Sequence, residues 1–267
     1  MISFVGAGPG AADLLTLRGR DRLAAADVVV WASSLVPEAV LEHARPGAEV
    51  HDSAVMTLED VLAVYAAHPG TAIVRLHSGD PSVYGAIQEQ IDWCVAAGRQ
   101  FEIVPGVSSL GAAAAALGTE LTVPGVAQSV VLTRLAGRTS ASMPPGQAVE
   151  DYAPHGATLA AFLSGARPAE LQAQLLAPGS GYERDTPAAA VIRASWPDQV
   201  VVRTTVGNLA HDLAATGATT TVLVLVGPAL AVSGHPAARS HLYRPDFAHR
   251  FRRRSRAGTT AGRPAQP

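Results

Sequence analysis

The feature of this 267-residue chain that most restricts its fold is a repeated unit in its first half. A short apolar run is followed by a loop, most often glycine-bearing, and then by a helical stretch. Residues 2–5, 27–31, 71–76 and 101–104 are such runs. Val28-Val29-Val30 are consecutive, as in a strand buried on both faces. Between the runs the pattern predicts helices over 14–26, 37–44, 57–67, 82–97 and 108–117. Such alternation implies parallel strands joined by right-handed crossovers.

The stretch 118–125 has two glycines and little periodicity, and it is read as a boundary. Beyond it, strands are predicted at 129–134, 158–162, 188–193, 199–204 and 220–226, with helices at 168–176 and 207–216. The expected fold class is therefore α/β in two domains. Residues 1–119 carry a mostly parallel sheet and 120–246 a mixed one. Residues 247–267 are rich in arginine and lack any hydrophobic period, so a solvated, disordered basic tail is expected there rather than an anion-binding arm.

Hydrophobic residues make up 48% of the chain and charged residues 16%, enough apolar material for two cores. The net charge of −2 supplies no global field toward nucleic acid or an anionic membrane. No window approaches the ~20 apolar residues needed to span a bilayer, and a cytoplasmic location is expected. The single cysteine, Cys94, rules out an intrachain disulfide or a cysteine-ligated metal site, and no metal site is expected. All 20 basic side chains are arginine, so every cationic contact must use a planar guanidinium, the group suited to bidentate pairing with carboxylates.

Three loops carry the chemical signal. Gly6-Ala7-Gly8-Pro9-Gly10 follows the first strand and satisfies a loose dinucleotide-binding pattern. Against a dinucleotide, Pro9 removes an N–H that would cradle a pyrophosphate. The second strand also ends without an acidic residue for a ribose, since Asp27 stands at its beginning. The second loop, His77-Ser78-Gly79-Asp80-Pro81, would set free backbone N–H groups beside a fixed carboxylate. Its structural alternative makes Asp80 a helix cap with Pro81 at the first helical position. The third is Val104-Pro105-Gly106-Val107-Ser108-Ser109. Three strand ends with such loops at one edge mark a ligand-binding edge.

Together with Asp13-Leu14-Leu15-Thr16-Leu17-Arg18-Gly19 and Ala26-Asp27-Val28-Val29, these loops resemble the tetrapyrrole methylase family of S-adenosylmethionine-dependent enzymes. The resemblance covers about residues 1–245. Within the family, Trp31-Ala32-Ser33-Ser34, Leu76-His77-Ser78-Gly79-Asp80-Pro81-Ser82-Val83-Tyr84-Gly85 and Ala194-Ser195-Trp196-Pro197-Asp198 look most like the branch that methylates C11 of precorrin-4 or cobalt-precorrin-4. The uroporphyrinogen branch usually has Gly-Gly-Asp-Pro where Ser78 begins the motif here. Other precorrin methylases and diphthine synthase are alternatives within the fold; an NAD-dependent oxidoreductase is the alternative of another class.

The resemblance implies a homodimer with S-adenosylmethionine in the cleft between domains and the tetrapyrrole in a trough against the first domain. Carried over by position, cofactor contacts would come from Pro9, Gly79, Asp80, Val83, Tyr84, Ser108, Ser109, Leu163 and Ala194, with Thr205 or Val206 added. The acetate and propionate arms of such a substrate need cationic partners, for which Arg75, Arg134, Arg138, Arg193 and Arg203 are candidates, with His77 beside them. Tyr84 and Asp80 are the candidate catalytic residues, and no Ser-His-Asp set is evident.

Overall fold

The computed structural model describes residues 1–136, 140–231, 240–244 and 246–255. In the first half, β1 (Ile2–Gly6), β2 (Val28–Trp31), β3 (Glu49–Asp52), β4 (Ile73–His77) and β5 (Phe101–Val104) form one sheet in the order β3-β2-β4-β1-β5. Every pairing in it is parallel, as the alternation implied. The central strands β1 and β2 are buried at every residue, so hydrophobic runs suit them. Alternate residues feed opposite cores. Val5, Val29, Val74 and Leu76 pack with Leu23 and Val40, whereas Ile2, Phe4, Val28 and Val30 pack with Val61, Tyr65 and Cys94. Each such large side chain contributes about 1.5–3 kcal/mol by burial.

Helices α1 (Leu17–Ala24), α2 (Leu58–Ala67), α3 (Gln88–Ala96) and α4 (Ser109–Leu117) follow the strands. Thr16 caps α1, and Thr57 with Asp60 forms a capping box on α2. Ser108 caps α4, which ends at Gly118 in the left-handed conformation.

The second sheet contains β6 (Val130–Arg134), β7 (Thr158–Phe162), β8 (Pro187–Ile192), β9 (Val200–Thr205) and β10 (Val222–Val226), in the order β6-β7-β10-β8-β9. Only β6–β7 is parallel, so this sheet is mixed, as expected. Helices α5 (Val149–Tyr152), α6 (Pro168–Leu175) and α7 (Leu209–Ala215) lie in this half, and α6 and α7 cover one face through Leu171, Leu175, Leu209 and Leu213. The other face, with Ala160, Ala189, Val191 and Leu225, packs on Ala113 and Leu117 of α4. That contact explains why α4 is alanine-rich: small side chains let a helix from the first half lie close to the second sheet. From β9, the Arg203 guanidinium donates to the Leu117 carbonyl at the end of α4.

Four expectations needed correction. The stretch 82–97 is helical only from Gln88; residues 81–87 are turns and loop, with Tyr84 and Ala86 at φ 56° and 48°. The helix expected at 14–26 starts at Leu17, and 37–44 contains a 3₁₀ helix, Glu38–His43. The edge strand β3 was not anticipated, because its Glu-Val-His-Asp sequence is polar and takes its conformation from pairing with β2. Of the expected tail, residues 256–267 lie outside the described residues. Among the described residues no helix is long and apolar enough to cross a membrane.

The rim of the first sheet is held by backbone packing. A Cβ on Gly106 would stand 2.1 Å from the Gly79 carbonyl oxygen and 2.7 Å from Gly6 Cα. Gly106→Ala is therefore expected to destabilise the protein by about 3 kcal/mol through overpacking against atoms that cannot move aside. Gly111→Ala, in α4 with nothing within 4 Å, should stabilise it by roughly 0.5–1 kcal/mol. Urea denaturation of both variants checks the contrast.

Candidate active site

The carboxyl ends of β4, β1 and β5 lie side by side, so the three motif loops meet. They are joined by their own backbone. The Gly79 N–H donates to the Gly8 carbonyl at 2.8 Å, the Gly8 N–H to the Gly79 carbonyl at 3.3 Å, and the Ala7 N–H to the His77 carbonyl at 2.8 Å. The Gly106 N–H donates to Asp80 Oδ2 at 2.9 Å. Of the N–H groups expected free beside a carboxylate, that of Gly79 is thus bonded within the rim, as are those of Gly8 and Gly106.

Asp80 does not cap a helix. Its Oδ1 accepts from the Ser82 N–H at 2.8 Å and from the Ser82 hydroxyl at 2.6 Å, while Oδ2 ties the second loop to the third. Burial pushes its carboxyl up, but the hydrogen bonds from Ser82 and Gly106 together outweigh this and hold it below the ordinary carboxylate value.

Facing the rim is the end of the second sheet where β7 and β8 finish and β10 begins. Between them lies a cavity of about 360 Å³, within the usual range of roughly 300–1,000 Å³ for small-molecule sites. Pro9, Gly79, Asp80, Val83, Tyr84, Ser108, Ser109, Leu163 and Ala194 line it, nine of the ten positions expected at the cofactor. Thr205 does not. The register pairs it with Pro187, at the opposite end of β8 from Ile192 and the cavity, and Val206 is buried in the core beyond. The cavity wall opposite the rim is built instead from Val191 and the segment 219–223. Nothing in the run Thr219-Thr220-Thr221 distinguished it from an ordinary strand entry.

Backbone strain gathers around this cavity. Among the described residues, the non-glycine positions with positive φ are Tyr84, Ala86, Leu163, Arg193, Ser195 and Thr221. Tyr84, Leu163 and Thr221 line the cavity, and Arg193 and Ser195 flank Ala194. Each such residue costs on the order of 1–3 kcal/mol, which the surrounding packing must offset, and strain of this kind collects at ligand sites.

The substrate candidates separate. Arg75 lies largely buried beneath the sheet, donating to Ser53 Oγ at 2.8 Å and the Val30 carbonyl at 3.3 Å; its Nε finds no acceptor, and burial lowers its pKa. His77 is 7% exposed, with Nε2 unpartnered. Burial, helped by the Arg75 charge, pushes its pKa down to about 3, so it is neutral at physiological pH. Neither side chain lines the cavity. Arg193 is occupied by Asp198 at 2.6 Å and by the Trp196 ring at 4.1 Å. Arg203 caps α4, and Arg138 lies outside the described residues. Arg134 ends β6 opposite Phe162, whose ring is 5.1 Å from that of Tyr84, and its charge acts on the Tyr84 hydroxyl. Tyr84 is 46% exposed and Leu163 62%, so the cavity opens at this apolar corner. Burial raises the Tyr84 pKa, keeping its hydroxyl protonated.

Among the described residues, Asp80 is the one charged side chain on the cavity wall, and no arginine lines it. A dianionic pyrophosphate would meet the Asp80 carboxylate there. A singly positive ligand of mostly apolar surface meets complementary charge.

The chain matches the family model for tetrapyrrole (corrin/porphyrin) methylases over residues 1–210 and belongs to that family. It is 45% identical over 253 residues to a precorrin-4 C(11)-methyltransferase of Pseudomonas aeruginosa, covering 94% of this chain and 98% of the relative. A cobalt-precorrin-4 C(11)-methyltransferase of Methanocaldococcus jannaschii is 42% identical over 254 residues, covering 94% and 96%. The crystal structure of a cobalt precorrin-4 methyltransferase of cobalamin biosynthesis superposes with a TM-score of 0.81 at 41% identity, over 86% of this chain and 95% of that one. A uroporphyrin-III C-methyl transferase from Thermus thermophilus, complexed with S-adenyl homocysteine, gives 0.70 at 29% identity over 86% and 93%.

Two pH effects follow. A histidine whose folded pKa lies below its unfolded value near 6.5 binds fewer protons when folded, so its stabilisation is complete above that pH and is lost progressively as pH falls from about 6.5 toward 3. His77→Gln should remove about 2 kcal/mol of the stability difference between pH 7 and pH 5, measured by urea denaturation at both. The Asp80 carboxyl has the same sign at lower pH: its stabilisation is full above about 3.8 and disappears as pH falls through the depressed folded value. Asp80→Asn should flatten that acid limb of the thermal-stability profile.

Proposed function

We propose that this protein transfers a methyl group from S-adenosylmethionine to C11 of a precorrin-4 ring, with or without cobalt, in cobalamin biosynthesis. The observation that carries the reading is the cavity itself. It lies between a glycine rim whose loops are hydrogen-bonded to one another and the second sheet, with one carboxylate and no cation on its wall among the described residues. A sulfonium suits that environment and a dinucleotide does not. The names and identities of the relatives support C11 of precorrin-4 as the acceptor.

When bound, S-adenosylmethionine supplies an electrophilic methyl on a positively charged sulfur. An electron-rich pyrrolic carbon attacks such a methyl in line, with the reacting atoms about 3–3.5 Å apart before transfer. No activated serine or cysteine is needed for a carbon nucleophile of this kind. The residues contribute position and dryness. Val83, Val191, Ala194 and Leu223 exclude water, and the bonded rim holds Pro9 and Gly79 in place. Positive charge spreads over donor and acceptor during transfer, which an apolar wall tolerates better than water-like surroundings would reward the separated charge. Tyr84 and Phe162 offer an aromatic face at the mouth to the incoming ring, and Arg134 stands behind them as a partner for an acetate arm. The same reading carries a cytoplasmic homodimer that binds neither nucleic acid nor membrane; the net charge of −2 supports the last two.

Incubation with S-adenosylmethionine and precorrin-4, cobalt-free or cobalt-bound, should raise the intact mass of the ring by one methyl group. Titration should show saturable binding of S-adenosylhomocysteine and none of NADH. Binding of NADH alone, or an unmodified ring with both acceptors, would defeat the reading.

A further inference from the structure

Residues 193–199, which join β8 to β9, grip the first glycine loop at three consecutive positions. The Trp196 indole lies flat on Gly10. A Cβ there would be 2.1 Å from Cδ1, 2.5 Å from Nε1 and 2.9 Å from Cγ, and those indole atoms are its three nearest neighbours. The Trp196 Nε1–H donates to the Pro9 carbonyl at 3.0 Å, and the Ala11 N–H donates to Ser195 Oγ at 3.0 Å. The loop is itself braced. The Arg193 guanidinium covers the outer face of the indole at 4.1 Å and pairs with Asp198, while the Ser195 N–H donates to Gln199 Oε1 at 2.7 Å. Arg193 and Ser195 both hold positive φ, at 49° and 66°, to present these groups.

This grip sits beside the cavity and outside it. Trp196 is not on the cavity wall, yet Pro9 and Ala194 are, one on each side of the cleft, and each is the chain neighbour of a gripping residue. The contact therefore fixes the distance between two opposed walls that belong to different sheets. We propose that Trp196, seated on Gly10, is a positioning residue for the methyl donor: it sets the width of the cavity between Pro9 and Ala194 without touching the ligand. Glycine at position 10 follows from this role, since any side chain would lift the indole and open the cleft. Arg193 then serves the clasp, through the indole and Asp198, and not the substrate carboxylates.

The proposal rests on the donor occupying this cavity, so the test separates the two. Isothermal titration with S-adenosylhomocysteine is run on the wild type, Gly10→Ala, Trp196→Phe, Trp196→Ala and the Gly10→Ala/Trp196→Ala double variant, each with its ligand-free melting temperature. Trp196→Phe keeps an aromatic ring beside Gly10 while losing the Nε1 donor and part of the ring area, and it should bind about fivefold more weakly. Gly10→Ala and Trp196→Ala should each weaken binding roughly tenfold or more. The double variant should bind no worse than Trp196→Ala, because the added methyl then meets no indole. With saturating donor, kcat of Trp196→Phe should stay within about twofold of wild type while KM for S-adenosylmethionine rises. Unchanged affinity in Gly10→Ala and Trp196→Phe, with or without a lower melting temperature, would overturn the positioning role alone. Failure of the wild type to bind S-adenosylhomocysteine would overturn the cavity assignment and the proposal together.

Discussion

Three backbone segments touch at Gly6, Gly79 and Gly106, closer than any side chain would allow, and the remainder of the site is arranged around that contact. It brings the ends of β1, β4 and β5 into one rim and lets their loops exchange hydrogen bonds. Two consequences oppose each other usefully. The rim is rigid, because each loop is tied to its neighbours through main-chain groups or the Asp80 carboxylate. It also spends the N–H groups of Gly8, Gly79 and Gly106 on bonds within itself, so these three are not offered to a phosphate. The same glycines that suggest a nucleotide fold thus close off that use.

The second sheet completes the cavity through a different kind of physics. Its contact with the first half runs through α4, whose alanines let helix and sheet approach, and through the Trp196 clasp. Around that interface the chain places residues in conformations that L-amino acids avoid: Leu163 and Thr221 from the second half and Tyr84 from the first line the cavity, and Arg193 and Ser195 flank Ala194. A rigid rim and a strained opposite wall together make a preformed pocket, which keeps the entropy cost of fixing a ligand low. Among the described residues Asp80 gives this pocket its only formal charge on the wall, and its own hydrogen bonds keep it ionised.

Legibility from sequence followed the range of the forces involved. β1 and β2 were readable because a strand buried on both faces is almost wholly apolar, and the helices after them because their apolar period is a local property. β3 was not readable: its polar residues are held extended by hydrogen bonds from β2, a neighbour some twenty positions away in the chain. Residues 82–87 look helical locally and are not. Asp80 bonds forward to Ser82 and across to Gly106 instead of capping a helix, and Gly85 passes so near the Pro81 carbonyl that a side chain could not fit. Helical propensity lost there to contacts that only the folded rim supplies.

At the site the division is similar. The amino-acid order placed three glycine loops at one sheet edge and argued against a dinucleotide through Pro9 and the missing acid, and the family resemblance named nine residues that the structure places on the wall of one cavity. Tertiary structure decided which surface of the second sheet faces that edge. Strand direction and register carry β10 in and Thr205 out, and they commit Arg193 and Arg203 to structural contacts, while Arg134, bonded to Ser142 Oγ, stands by the aromatic corner. Periodicity shows that a strand exists and which residues share a face; it holds no information about which end meets another sheet, because that choice is made by the sum of many weak contacts between segments far apart in the chain.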